Sequence, residues 1–208
     1  MVLLTKSFRK KSKIMHNQDH LTMRPPLFTG YADTYLKLTK DRTIFLSEDV
    51  TKESAAQLSA LLLYYDHENS DEYINLYIHS NGGDAAGLAN IYDVMQMISA
   101  PVKTICLGKC YSAGAVILAA GSKGERYALK SSKIMIHGIQ FGFPLPGQDI
   151  INSKNYYDFI KENNDNIMKI LSVHTGHSLD KLKEDCKQDL WLDAKQALNY
   201  GIIDHIMP

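Results

Sequence analysis

Short apolar runs alternate with longer amphipathic stretches along most of the chain, and this alternation restricts the architecture more than any other feature. The runs at 43–46, 74–79, 102–107 and 133–136 are rich in Ile, Leu and Val and have the length of strands. Between them, 51–65 opens on Thr51 and Ser54 and sets Leu58, Leu61 and Leu62 at helical spacing, while 85–98 and 113–120 follow glycine-containing turns. A helix between successive strands requires a crossover connection, so the expected architecture is an α/β domain around a mostly parallel sheet. The pattern changes after Ile136. Gly138, Gly142, Pro144, Pro146 and Gly147 mark a loop, and 150–173 is a long polar helical stretch that one sheet cannot bury entirely. Such a helix is expected to project as an arm and meet another subunit.

The 208 residues allow one sizeable domain with an appendage. Lys+Arg and Asp+Glu are equal at 23 each, so there is no net field to gather nucleic acid or an anionic membrane, and neither is expected as a partner. The longest stretch without a charged residue, 134–148, is shorter than the roughly 18 apolar residues of a membrane helix and is broken by Gly and Pro. Three cysteines cannot frame a disulfide-built domain and suit a reducing compartment, which gives a cytoplasmic expectation. The even balance hides one asymmetry. Lys6, Arg9, Lys10, Lys11 and Lys13 all precede the first acidic residue, Asp19, leaving 18 basic against 23 acidic residues in the rest. Residues 1–30, which include the break at Arg24-Pro25-Pro26, are therefore expected to be a mobile or cleavable basic segment, with 31–208 as the folded domain. If 1–18 is a transit segment, the compartment is an organelle matrix instead.

Chemistry concentrates in four places. Gly108-Lys109-Cys110-Tyr111-Ser112-Ala113-Gly114-Ala115 joins a strand to an apolar helix. Ser112 thus stands at a helix start, where backbone N–H groups and the positive end of the dipole can stabilise a developing oxyanion. A plain N-cap serine has the same signature. Ser80-Asn81-Gly82-Gly83 follows the run at 74–79, and its paired glycines suit either close approach of backbone to a ligand or an Asn-Gly turn. His137 closes the run at 133–136, as a general base or as a strand-end histidine bonded to a carbonyl. Asp189, ahead of Leu190-Trp191-Leu192, is a charge partner or a solvated loop aspartate. Cys106, Cys110, Cys186, His174 and His177 lack metal-binding spacing, and no phosphate-binding glycine motif occurs, so neither a metal nor a cofactor is expected in this chain. Cys110, close to Ser112, is a candidate for modification.

The combination is more specific than its parts. Lys40-Asp41-Arg42-Thr43-Ile44-Phe45-Leu46, Leu76-Tyr77-Ile78-His79-Ser80-Asn81-Gly82-Gly83, Ile91-Tyr92-Asp93, Ser112-Ala113-Gly114-Ala115, Ile134-Met135-Ile136-His137, His174-Thr175-Gly176 and 197–204 occur in one order. From about residue 31 to 207 the chain resembles the proteolytic subunits of ATP-dependent Clp proteases, peptidase family S14. The resemblance implies a Clp protease/crotonase-like spiral of strand and helix units, with a projecting handle at about 138–176. It implies Ser112 as nucleophile, His137 as general base and Asp189 as the group that orients and charge-stabilises the imidazole. By the same resemblance the backbone N–H groups of Gly83 and Ala113 form an oxyanion hole, and Gly82, Asp84 and Ala85 flank an extended peptide substrate. The implied assembly is two stacked heptameric rings, of one or several chain types. Unfolded polypeptide would be delivered by a hexameric AAA+ Clp ATPase, which alone uses ATP.

The sequence departs from that pattern at several points. Asn81 stands where the family usually has Pro, Asp84 follows the glycine pair, and Gly138-Ile139 replaces Gln-Pro after the histidine, ahead of a longer loop. Leu190 occupies the place where many relatives carry an Arg that links ring assembly to the catalytic site. These departures support a second reading, a catalytically poor structural or regulatory subunit in mixed rings with an active paralogue. Crotonase-type acyl-CoA chemistry has no support from the Ser, His and Asp set.

Overall fold

The expected strands form where the apolar runs stand, and the computed structural model, which describes residues 31–140 and 150–208, joins them in one sheet. The strands are Thr43–Leu46 (β1), Ile74–Ser80 (β2), Val102–Tyr111 (β3), Arg126–Leu129 (β4), Lys133–Ile136 (β5), Leu190–Asp193 (β6) and His205–Met207 (β7). The helices are Tyr31–Lys40 (α1), Lys52–Glu68 (α2), Ala85–Met97 (α3), Ala113–Ala119 (α4), Ile150–Thr175 (α5), Leu179–Asp185 (α6) and Ala194–Tyr200 (α7). The basic segment at 1–30 and most of the loop at 140–147 lie outside the described residues. Lys37–Pro208 packs as one unit.

β1, β2, β3, β4 and β7 run parallel in that order. β5 adds to β3 in parallel, and β6 pairs antiparallel with β5. The chain is thus a mixed α/β fold with a mostly parallel sheet, as its alternating pattern predicts. β3 is the element that sequence reading truncates. It continues four residues past Leu107 because a bulge at Gly108 (φ +77°) interrupts the ladder without ending it. Across that bulge Cys106 and Cys110 face Ile78 and Ser80, so four residues on β3 span the length of two on β2. The first half of β3 pairs with β4, and the end, Lys109 to Tyr111, turns to pair with β5. The sheet divides there, immediately before Ser112.

The core explains why the split is tolerated. Ile74, Leu76 and Ile78 point one way from β2 and are wholly buried, against Leu62 of α2, Ile91 of α3 and Ile117 of α4. Each such side chain contributes roughly 1.5–3 kcal/mol by leaving water. α4 is buried along its full length, and Gly114 brings it onto β2, since a Cβ there would stand 3.3 Å from the Ser80 Cβ. α2 begins where predicted, because Thr51 and Ser54 close a capping box: the Ser54 amide donates to Thr51 Oγ1 and the Thr51 amide to Ser54 Oγ. Among the described residues no helix is long and apolar enough to cross a membrane.

Candidate active site

Ser112 is the residue at which β3 becomes α4. Its amide donates to the Met135 carbonyl at 2.8 Å, extending the β3–β5 ladder by one step, and the next residue is already helical. The turn forces Ser112 to φ +53° and ψ −123°, a conformation that L-residues rarely adopt. Its hydroxyl makes no capping bond to α4, so the plain N-cap alternative does not hold. Such a strained strand-to-helix turn lifts a serine hydroxyl off the sheet edge.

The partners of Ser112 follow from register. β5 and β6 pair from Lys133 with Asp193 to Ile136 with Leu190, and one step further sets position 137 opposite 189. His137 Nε2 lies 2.8 Å from Ser112 Oγ. On the other side of the ring, Asp189 Oδ1 is 3.2 Å from Nδ1, but off the direction of the ring N–H, so that buried nitrogen has no aligned hydrogen bond. The Asp189 side chain is 38% exposed and also accepts a long bond from Gln140 Nε2 at 3.4 Å. The three residues singled out by type and order are therefore neighbours in space, with the Ser–His leg tight and the His–Asp leg loose.

Gly82 and Gly83 pass directly behind the serine turn. A Cβ on Gly82 would stand 2.6 Å from the Ser112 Cβ and 2.8 Å from the Ala113 amide nitrogen, while one on Gly83 would stand 2.2 Å from the Val50 carbonyl oxygen. Only glycines, at φ +93° and +144°, fit this passage. Val50 binds its other side, with the Val50 amide on the Gly82 carbonyl and the Asp84 amide on the Val50 carbonyl, both at 2.7 Å. The amides left over are those of Gly83 and Ala113, neither of which has an acceptor among the described residues. The Asp84 carboxylate caps α3 by accepting from the Gly87 amide at 2.8 Å. Asn81 and Lys109 are linked on the exposed side, Lys109 Nζ donating to Asn81 Oδ1 at 2.7 Å.

Gly83, Ala85, Ser112, Ala113 and His137 open on one cavity of about 280 Å³. The rest of its wall is largely apolar, from Leu88, Val116, Met135, Ile139 and Ile167. Of these the sequence marks only Ile139, in the Gly138-Ile139 step after the histidine. The signal of the others was present in part, as Leu88 and Ile91 on α3 and Ile167 and Leu171 on α5 recur at helical spacing. Nothing in the sequence marks Val50. Cys110, the candidate for modification, is fully buried beside Ser80, and burial pushes its thiol above the ordinary range.

A hydroxyl on an imidazole, in a cavity bordered by two unclaimed amides on an α/β scaffold, is the arrangement of a serine hydrolase. A family model described as Clp protease matches residues 29–208, and the chain belongs to that family. Membership brings serine peptidase activity as the class of chemistry.

Proposed function

We propose that the chain is a serine endopeptidase subunit of a compartmentalised, ATP-dependent protease, and that Ser112, His137 and Asp189 carry the reaction. The 2.8 Å contact between His137 Nε2 and Ser112 Oγ, on the wall of the cavity, supports this reading most directly. With its proton on Nδ1, toward Asp189, the ring accepts the hydroxyl proton at Nε2 as Oγ attacks a peptide carbonyl. The carbonyl oxygen becomes an anion within reach of the Gly83 and Ala113 amides, which are positioned before it forms. His137 then gives the proton to the leaving amine, and water hydrolyses the acyl-enzyme by the same path in reverse. The apolar wall favours an apolar side chain next to the scissile bond. Gly82, Asp84 and Ala85 border the peptide, whose main chain supplies most of the contacts. Subunits close into two stacked heptameric rings, and a hexameric AAA+ Clp ATPase feeds them unfolded polypeptide.

The loose His–Asp leg favours a second reading, a catalytically poor structural or regulatory subunit in mixed rings with an active paralogue. One experiment separates the two. A fluorophosphonate probe should label the purified chain at Ser112, and Ser112→Ala should abolish both labelling and hydrolysis of a fluorogenic peptide. Labelling that appears only after assembly with a paralogue supports the second reading, and wild-type turnover in Ser112→Ala sinks both.

A further inference from the structure

The chain that carries His137 is gripped immediately beyond the ring. β5 ends at Ile136, so the sheet no longer fixes the backbone there. Two acceptors take over: the Gly138 amide donates to the Cys186 carbonyl at 3.0 Å, and the Ile139 amide to Asn164 Oδ1 at 2.9 Å. The fit is close, since a Cβ on Gly138 would stand 3.1 Å from Asn164 Oδ1 and 3.4 Å from the Cys186 oxygen. Cys186 precedes Asp189 by three residues and belongs to that side of the site. Asn164 comes from elsewhere, the inward stripe of α5, with cavity-lining Ile167 and fully buried Leu171 at i+3 and i+7.

We propose that Asn164 is a positioning residue, whose carboxamide oxygen holds the 138–139 backbone so that the His137 ring stays on Ser112. The inference rests on the peptidase reading above. Asp189 alone does not fix the ring, because its contact with Nδ1 is off-line and partly exposed. The backbone on the far side of His137 must supply the constraint. Without the Asn164 oxygen, the Ile139 amide loses its partner and the anchor that α5 provides. A ring displacement of about 1 Å lowers the rate on the order of a hundredfold.

The full chain carries the test. Asn164→Leu keeps the branching at Cγ, with a somewhat larger side chain, and removes the acceptor, whereas Asn164→Asp keeps an acceptor oxygen. Leu should lower kcat roughly 10- to 100-fold with KM within about twofold, at unchanged sedimentation, and Asp should restore kcat to within about threefold of wild type. Amide exchange at Ile139 should be slow in wild type and in Asp and fast in Leu, a readout independent of turnover. An equal loss in Leu and Asp, or a loss explained by dissociation of the assembly, overturns the role. So does wild-type kcat in Leu beside an inactive Ser112→Ala, which leaves the peptidase reading standing. Turnover retained in Ser112→Ala overturns that reading and this one together.

Discussion

Ser112 sits in a backbone conformation worth roughly 1–3 kcal/mol of strain, and it stays there because its neighbours leave no alternative. The Met135 carbonyl holds its amide, and the Gly82 backbone fills the space behind it. Gly82→Ala should therefore act through Ser112, because the added methyl group points into the serine turn. With contacts of 2.6–2.8 Å to backbone and Cβ, and φ at +93°, the turn must shift. Peptidase turnover should fall at least about tenfold, with a destabilisation of about 1–3 kcal/mol in denaturant unfolding. Asp189 invites a different expectation. A carboxylate that orients a general base sets its tautomer, but this one is partly exposed and off the N–H direction. Asp189→Asn should lower kcat by about a hundredfold, well short of the loss in Ser112→Ala, with KM unchanged. Equal losses in the two variants would show a tighter His–Asp leg than the structure has.

At the scale of elements, β4 carries the most confined ion pair among the described residues. Arg126, 4% exposed, meets Asp204 through two bonds of 2.8 and 2.6 Å and donates to the carbonyls of Ala119 and His174, tying β4 to α4, α5 and the start of β7. Burial opposes the Asp204 charge, yet the Arg126 bond and charge, with the Gly124 and Arg126 amides, hold its carboxyl below the usual range. A carboxyl depressed in the fold contributes stability that is complete above its unfolded pKa, about 3.9, and is lost as pH falls through the folded value. Asp204→Asn should cost about 3–5 kcal/mol near neutral pH, because Arg126 stays buried without its counter-charge. Unfolding measured from pH 5 down to 3 should show a smaller slope in the variant. A wild-type slope would place the acid sensitivity elsewhere. The same pair explains a gap in what the sequence reveals. Arg-Tyr-Ala-Leu at 126–129 does not read as a strand, since a buried Arg is legible only once Asp204 is known to face it. β1 and β5 were legible in full because each is short, apolar and bounded, while β3 was half legible because its bulge resembles a strand end. β6 is too short and too exposed at Trp191 to announce its antiparallel pairing. Ser112, His137 and Asp189 could be picked by residue type and order. Asn164 could not, because a half-buried amide on a polar helix has no signature until the backbone it serves is in place.

At the scale of the whole molecule, α5 is the element through which the proposed ring assembly would reach the proposed site. Its inner stripe of Asn164, Ile167, Met168 and Leu171 faces the domain, with Ile167 on the cavity wall, whereas Phe159 and Val173 are 58% and 75% exposed. If α5 is the handle that interleaves two rings, separating the rings removes what steadies α5 from outside and loosens the Ile139 anchor from within. Turnover per subunit should then fall with ring separation. The strength of that coupling should depend little on salt. Leu190, half-buried against the core next to Asp189, offers packing where an arginine would offer an ion pair, and the Asn164 bond is neutral. Screening at high ionic strength weakens exposed charge pairs and leaves apolar contacts and buried neutral hydrogen bonds nearly unchanged. Sedimentation and peptide hydrolysis should be followed together from about 0.05 to 1 M salt. The expected result is a stable assembly with turnover constant to within about threefold, and inactive material in whatever fraction separates. Fully active single rings would show that α5 does not transmit assembly to His137, and steep dissociation as salt rises would show that ion pairs, such as the exposed Lys183–Asp165 bridge between α6 and α5, hold the handle in place.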